Sequence, residues 1–160
     1  MNVEIRRLTL ADLDAIERIE RESYPTPWSR SMFAGELAKP SSASLGAYEL
    51  DLPEAPLVAY LVISRYVDAW HVMNIAVTNS YRRHGIATIL LEELFERTEN
   101  DPRRGYTLEV RVSNVAAIAL YERLGFYATG VRRGYYTDNR EDALIMWKDP
   151  VRKVAAASTT

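Results

Sequence analysis

Apolar and polar residues alternate over positions 3–8, with Val3, Ile5 and Leu8 on one side, and this period of two predicts a strand. The period then changes. Leu10, Leu13, Ile16 and Ile19 recur at helical spacing behind Thr9, with Asp12 in the first turn, and Pro25 and Pro27 end the helix. Ser29 is placed to cap a second, short helix through Met32, Phe33 and Leu37, which Pro40 terminates. Two strand-like runs, about 44–50 and 57–65, flank the proline-containing stretch 51–56 and predict a hairpin. A third run over 70–77 leads to a helix over 85–99, carrying Ile86, Ile89, Leu90 and Leu94 on one face. A strand over 106–112 follows, then a helix that Asn114 caps and Gly125 stops, then strands over 126–136 and 142–147.

The order β-α-α-β-β-β-α-β-α-β-β predicts an α/β (mixed α+β) domain, one mixed central sheet of six to seven strands flanked by helices. The domain is expected to span 1–149, with 150–160, small, polar and without periodicity, as a flexible tail. A chain of 160 residues, 48% hydrophobic and 26% charged, suits one globular domain. The net charge of −2 gives no global attraction to nucleic acid, so none is expected as a direct partner. With no cysteine there is neither a disulfide nor a thiolate nucleophile. No apolar run approaches membrane-spanning length, so the expected location is cytoplasmic, without membrane contact.

The chemistry concentrates where the third strand meets the helix at Gly85. Arg82, Arg83 and His84 precede this glycine, and Ile86, Ala87 and Thr88 open the helix behind it. Glycine lets the backbone approach a ligand, and the free N–H groups at the positive end of a helix attract phosphate. The spacing Arg82-x-x-Gly85-x-Ala87 is neither a Walker loop, since no Gly-Lys-Ser/Thr follows, nor a three-glycine dinucleotide fingerprint.

This loop resembles the Arg/Gln-x-x-Gly-x-Gly/Ala signature of the GNAT superfamily of N-acetyltransferases. Leu108 to Phe126 is similar to the family's catalytic strand, turn and helix. The ending Arg132-Arg133-Gly134-Tyr135-Tyr136, then Arg140 to Met146, resembles the RimI-type branch, which acetylates N-terminal alanine of ribosomal proteins. Pro27-Trp28-Ser29 and Asn74-Ile75-Ala76-Val77 fit that branch too, so the resemblance covers about residues 3–148.

The resemblance implies acetyl-CoA as co-substrate, no metal, and the N-terminus of a small-subunit ribosomal protein as acceptor, attacked directly in a ternary complex. A monomer is the expected working unit. Ile75, Ala76 and Val77 would seat the thioester arm on a strand that splays from 108–112, with the Val77 N–H as oxyanion donor, although their chemistry equally suits a plain core strand. Pyrophosphate would take the N–H groups of residues 83–88 with Arg82 and Arg83 assisting. His84 would add a hydrogen bond to it, or else is a solvated loop histidine.

Glu109 would be the general base, its pKa raised by burial, directly or through a water. Its bland counterpart is a surface position paired with Arg111. Tyr121, seven residues and two turns beyond Asn114, would be the general acid, or else a core aromatic. Asn114 would bond the pantetheine, cap its helix, or both. Trp28, Tyr135 and Tyr136 would line the acceptor groove, with Thr137 standing where some relatives carry proline. Acetylation of a small amine or of other protein N-termini, and a non-catalytic acyl-CoA sensor, are the competing functions.

Overall fold

The computed structural model describes residues 1–150, so the expected tail lies almost wholly outside the described residues. Seven strands form one sheet: β1 (Val3–Arg7), β2 (Leu45–Glu49), β3 (Leu57–Arg65), β4 (Ala69–Val77), β5 (Gly105–Arg111), β6 (Tyr127–Arg132) and β7 (Ala143–Lys148). Four α-helices accompany them: α1 (Leu13–Ser23), α2 (Arg30–Leu37), α3 (Ile86–Arg97) and α4 (Val115–Arg123). The spatial order is β1-β2-β3-β4-β5-β7-β6, antiparallel throughout except for the parallel pair β4–β5. No described helix is long and apolar enough to cross a membrane.

The alternation of β3 shows how the sheet builds two cores. Every residue from Leu57 to Ser64 is buried. Ala59, Leu61 and Ile63 join Leu90, Leu91 and Leu94 of α3 on one face; Tyr60 and Val62 join Ile16 and Ile19 of α1 and Phe33 of α2 on the other. A strand covered on both faces loses the polar half of its alternation, hence its near-continuous apolar run. Within α3 the apolar stripe is Ile86, Leu90, Leu91, Leu94 and Phe95, while Ile89 is exposed.

Two boundaries move. Leu10–Asp12 is a 3₁₀ turn and α1 begins at Leu13, because Asp12 turns back to accept the Thr9 N–H at 2.8 Å. Leu10 is consequently exposed. The sixth strand stops at Arg132 rather than Tyr136: Gly134 takes φ +59° and its N–H donates to Asp142 at 2.8 Å, turning the chain out of the sheet.

Candidate active site

The parallel pairing of β4 and β5 lasts for three residue pairs, Ala69↔Gly105, Trp70↔Tyr106 and His71↔Thr107. Beyond His71 the strands separate, and a bulge at Met73 re-aims β4. The gap opens into a cleft of about 880 Å³. Its β4 wall has a determined polarity. Ala59 faces Val77 in register while the Thr78 N–H reaches the Val58 carbonyl at 2.9 Å. In an antiparallel ladder this makes 75 and 77 the positions whose N–H and C=O point away from β3, into the gap. Both carbonyls are occupied, Ile75 by the Tyr24 hydroxyl and Val77 by Arg82 Nε at 3.0 Å. The two N–H groups face the cleft, beyond the reach of the β5 ladder.

At the end of β4 the chain turns through Asn79–Tyr81 and Arg82 into Gly85, which takes φ +75° at the start of α3. Nothing lies within 4 Å of the position a Gly85 Cβ would occupy, so the space before the helix is open. The first helical bond runs from the Ile89 N–H to the Gly85 carbonyl at 3.1 Å, leaving the N–H groups of Ile86, Ala87 and Thr88 ahead of the ladder. All three residues line the cleft with Arg82, Arg83 and Gly85. Arg82 is tied to Val77 and, at 3.2 Å, to Ser23 Oγ; Arg83 also holds positive φ. His84 is exposed and does not line the cleft, which favours the solvated reading of this histidine.

Glu109 lies on β5 where the gap opens, its side chain only 14% exposed. Its partner is not Arg111. His71 Nε2 lies 2.7 Å from Glu109 Oε2, and Arg132 Nε 3.7 Å from Oε1. Arg111, on the same strand, instead holds Asp138 and Glu141. The expected upward pKa shift is reversed: the hydrogen bond from His71 holds the carboxyl below the ordinary glutamate range, outweighing burial, with the Arg132 charge acting in the same sense.

Tyr121 enters the cleft from α4, buried against Phe126 in an edge-to-face contact at 5.6 Å. Burial pushes its phenol up to about 12, with Tyr136 contributing, so the hydroxyl is a firm proton holder at neutral pH. Asn114 Oδ1 accepts the Ala117 N–H at 3.2 Å, a cap, while the residue also lines the cleft. Asn114 thus caps α4 at the cleft's edge.

A compartment of about 170 Å³ adjoins this cleft, lined by Trp28, His71, Met73, Glu109, Tyr135 and Tyr136. The tyrosine pair stacks edge-to-face at 5.1 Å, and the Arg111 guanidinium covers Tyr136 at 4.0 Å while clamping the following loop through Asp138, Asn139 and Glu141. The Trp28 side is fixed by Glu20, which is 1% exposed and accepts from the Trp28 N–H at 2.8 Å, Asn74 Nδ2 at 2.9 Å and the Tyr60 hydroxyl. Sequence reading missed His71, Glu20 and Tyr24. Among the described residues no group of three or more His, Cys, Asp or Glu side chains is arranged to hold a metal ion.

A splayed β4–β5 gap, a glycine-led helix N-terminus on one side and a carboxylate and phenol on the other define an acyltransferase architecture. The family model for the acetyltransferase (GNAT) family matches residues 13–126, and the chain belongs to that family. It is an N-acetyltransferase, and its relatives place it with the RimI type. The [ribosomal protein bS18]-alanine N-acetyltransferase of Escherichia coli (strain K12) is 40% identical over 145 residues, covering 89% of this chain and 94% of that protein. An N-alpha-acetyltransferase of Saccharolobus solfataricus is 36% identical over 155 residues, covering 89% and 90%. The crystal structure of the ribosomal-protein-S18-alanine N-acetyltransferase from Escherichia coli superposes with a TM-score of 0.85 at 35% identity, covering 98% of both chains.

Proposed function

We propose that this protein transfers an acetyl group from acetyl-CoA to the α-amine of an N-terminal alanine on a small-subunit ribosomal protein, in a ternary complex. The observation that carries the reading is the convergence of Glu109 and Tyr121, from two different elements, on one cleft beside a strand whose N–H groups point inward. The alanine acceptor is supported by what the 40%-identical relative is named for. The small compartment, walled by Trp28, Tyr135 and Tyr136, has the size and rigid aromatic surfaces suited to the end of a peptide.

The open space before Gly85 and the N–H groups of Ile86, Ala87 and Thr88 fit a pyrophosphate, with Arg82 and Arg83 beside them. When bound, acetyl-CoA supplies an activated acetyl thioester. The Val77 N–H donates to the carbonyl oxygen on which negative charge develops, the role of an oxyanion donor. Asn114 at the mouth of α4 holds the pantetheine arm by its remaining amide donors. Glu109 accepts the proton of the attacking amine, directly or through a water. An α-amine, with a pKa of about 7.7–8.0, offers a substantial neutral fraction at neutral pH, so a carboxylate that is a weak base suffices. Tyr121 holds its proton until the sulfur departs and donates it there.

Two peptides incubated with the protein and acetyl-CoA and read by mass spectrometry test the reading. One carries a free N-terminal alanine; the other has a blocked N-terminus and free lysines. Acetylation of the first alone is expected. Acetylation of the second, or of neither, rejects the acceptor assignment. Tyr121→Phe is expected to lower kcat about 100-fold, within the usual range for a lost proton donor, with acetyl-CoA affinity by calorimetry within about twofold. A wild-type rate in that variant removes Tyr121 from the reaction.

A further inference from the structure

His71 sits at the apex of the β4–β5 gap, the last residue of β4 to pair with β5, opposite Thr107. Glu109 is two residues beyond Thr107 and therefore on the same face of β5. A side chain reaching across at the point where the strands part meets the carboxylate just as it turns into the cleft. Glu109 lines both the large cleft and the small compartment, whereas His71 lines the compartment alone. His71 thus grips Glu109 from behind, away from the space around the Gly85 loop.

The two carboxylate oxygens are held unequally. Oε2 is bonded to His71 Nε2 at 2.7 Å, whereas among the described residues Oε1 faces Arg132 Nε at 3.7 Å, on a side chain that is 57% exposed. A carboxylate accepts, so the imidazole nitrogen donates to it. The ring is itself braced: Tyr66, from the turn between β3 and β4, lies 5.8 Å away centroid to centroid. The charged and titratable groups around the pair are Arg132 from β6, Tyr135 and Tyr136 from the loop after it, and Tyr66.

Resting on the reading of Glu109 as the base, we infer that His71 is a positioning residue. Its Nε2–H anchors Oε2, so that Glu109 keeps one rotamer and presents Oε1 to the acceptor amine. Without the anchor the carboxylate can turn toward Arg132, which would occupy the oxygen the amine needs. The hydrogen bond also favours the ionised carboxyl, so the base stays unprotonated as the pH falls.

The test contrasts two neutral replacements of different reach. In His71→Gln the amide nitrogen falls near the place of Nε2; in His71→Asn it falls near Nδ1, one bond short of Glu109. Steady-state rates with the alanine-terminated peptide are measured for both, with Glu109→Gln as reference, alongside a carbon-13 NMR titration of the Glu109 carboxyl. His71→Asn should lose about tenfold in kcat with the KM for acetyl-CoA within about twofold, while His71→Gln keeps most of the rate. The Glu109 midpoint should lie higher in His71→Asn than in the wild type, with His71→Gln between them. Equal rates in the two variants, impaired or not, overturn the proposal, as does a Glu109 midpoint that stays put in His71→Asn. A wild-type rate in Glu109→Gln overturns instead the assignment of Glu109 as base, and is separately visible.

Discussion

Glu109→Gln should lower kcat by about 100-fold or more while leaving acetyl-CoA affinity within about twofold. The amide keeps the volume of the carboxyl and can still accept from His71, so the strand and its packing survive. What is lost is the capacity to take a proton as the amine attacks. The elements proposed to bind acetyl-CoA, residues 75–77 of β4 and the N-terminus of α3, are on other parts of the chain. The pH dependence gives a second handle. Because His71 holds the carboxyl below the ordinary glutamate range, Glu109 is ionised across the whole neutral region. The ratio of wild-type to variant rates should therefore be flat between about pH 6 and 9, the profile being set by the amine near 7.7–8.0. A residual rate above about half of wild type would eliminate Glu109 as the base.

Glu20→Ala should destabilise the fold by about 3 kcal/mol, seen as a fall in Tm of about 6–12 °C. The carboxyl lies in the core between α1 and the sheet, where it serves three donors at once. Alanine leaves the Tyr60 hydroxyl and the Asn74 amide buried without an acceptor, each at a cost of about 1–3 kcal/mol. It also frees the backbone at Trp28, one wall of the small compartment proposed for the acceptor. The residual enzyme at low temperature should show a raised KM for the peptide and a smaller change in kcat. A Tm within about 1 °C of wild type would mean that water replaces the carboxyl and that the network is not structural.

The elements of the sheet were legible because their periods are clean. The β3 run buried from Leu57 to Ser64, the glycine at the start of α3 and the Asn114 cap each have a local cause that can be read from a few consecutive residues. The parts that were not legible are long-range pairings. His71 occupies an intermediate position of β4 and looks like the polar half of an alternation; its partner is 38 residues away. Glu20 belongs to the run Glu17-Arg18-Ile19-Glu20-Arg21-Glu22, where it resembles any other charge on a solvated face, yet the helix turns it inward against Tyr60 and Asn74. The Glu109 shift was misjudged for the same reason, since burial is visible in an apolar strand and a histidine across the sheet is not. Arg111 was a plausible neighbour by sequence, but at i+2 its reach was spent on the loop at 138–141. The outward turn at Gly134 depends on the Asp142 carboxylate eight residues on.

The three-pair junction between β4 and β5 has a thermodynamic side as well. Four strands lie on one side of it and three on the other, and the sheet is continuous only through Ala69, Trp70 and His71. A molecule that bridges the gap by taking the inward N–H groups of β4 acts as a surrogate strand segment, welding two subunits of cooperativity into one. Occupancy then adds RT ln(1 + [L]/Kd) to the unfolding free energy, about 2.7 kcal/mol at a hundredfold excess over Kd. The β4–β5 junction has the fewest paired residues of any ladder in the sheet, and a bridging molecule would add its hydrogen bonds there.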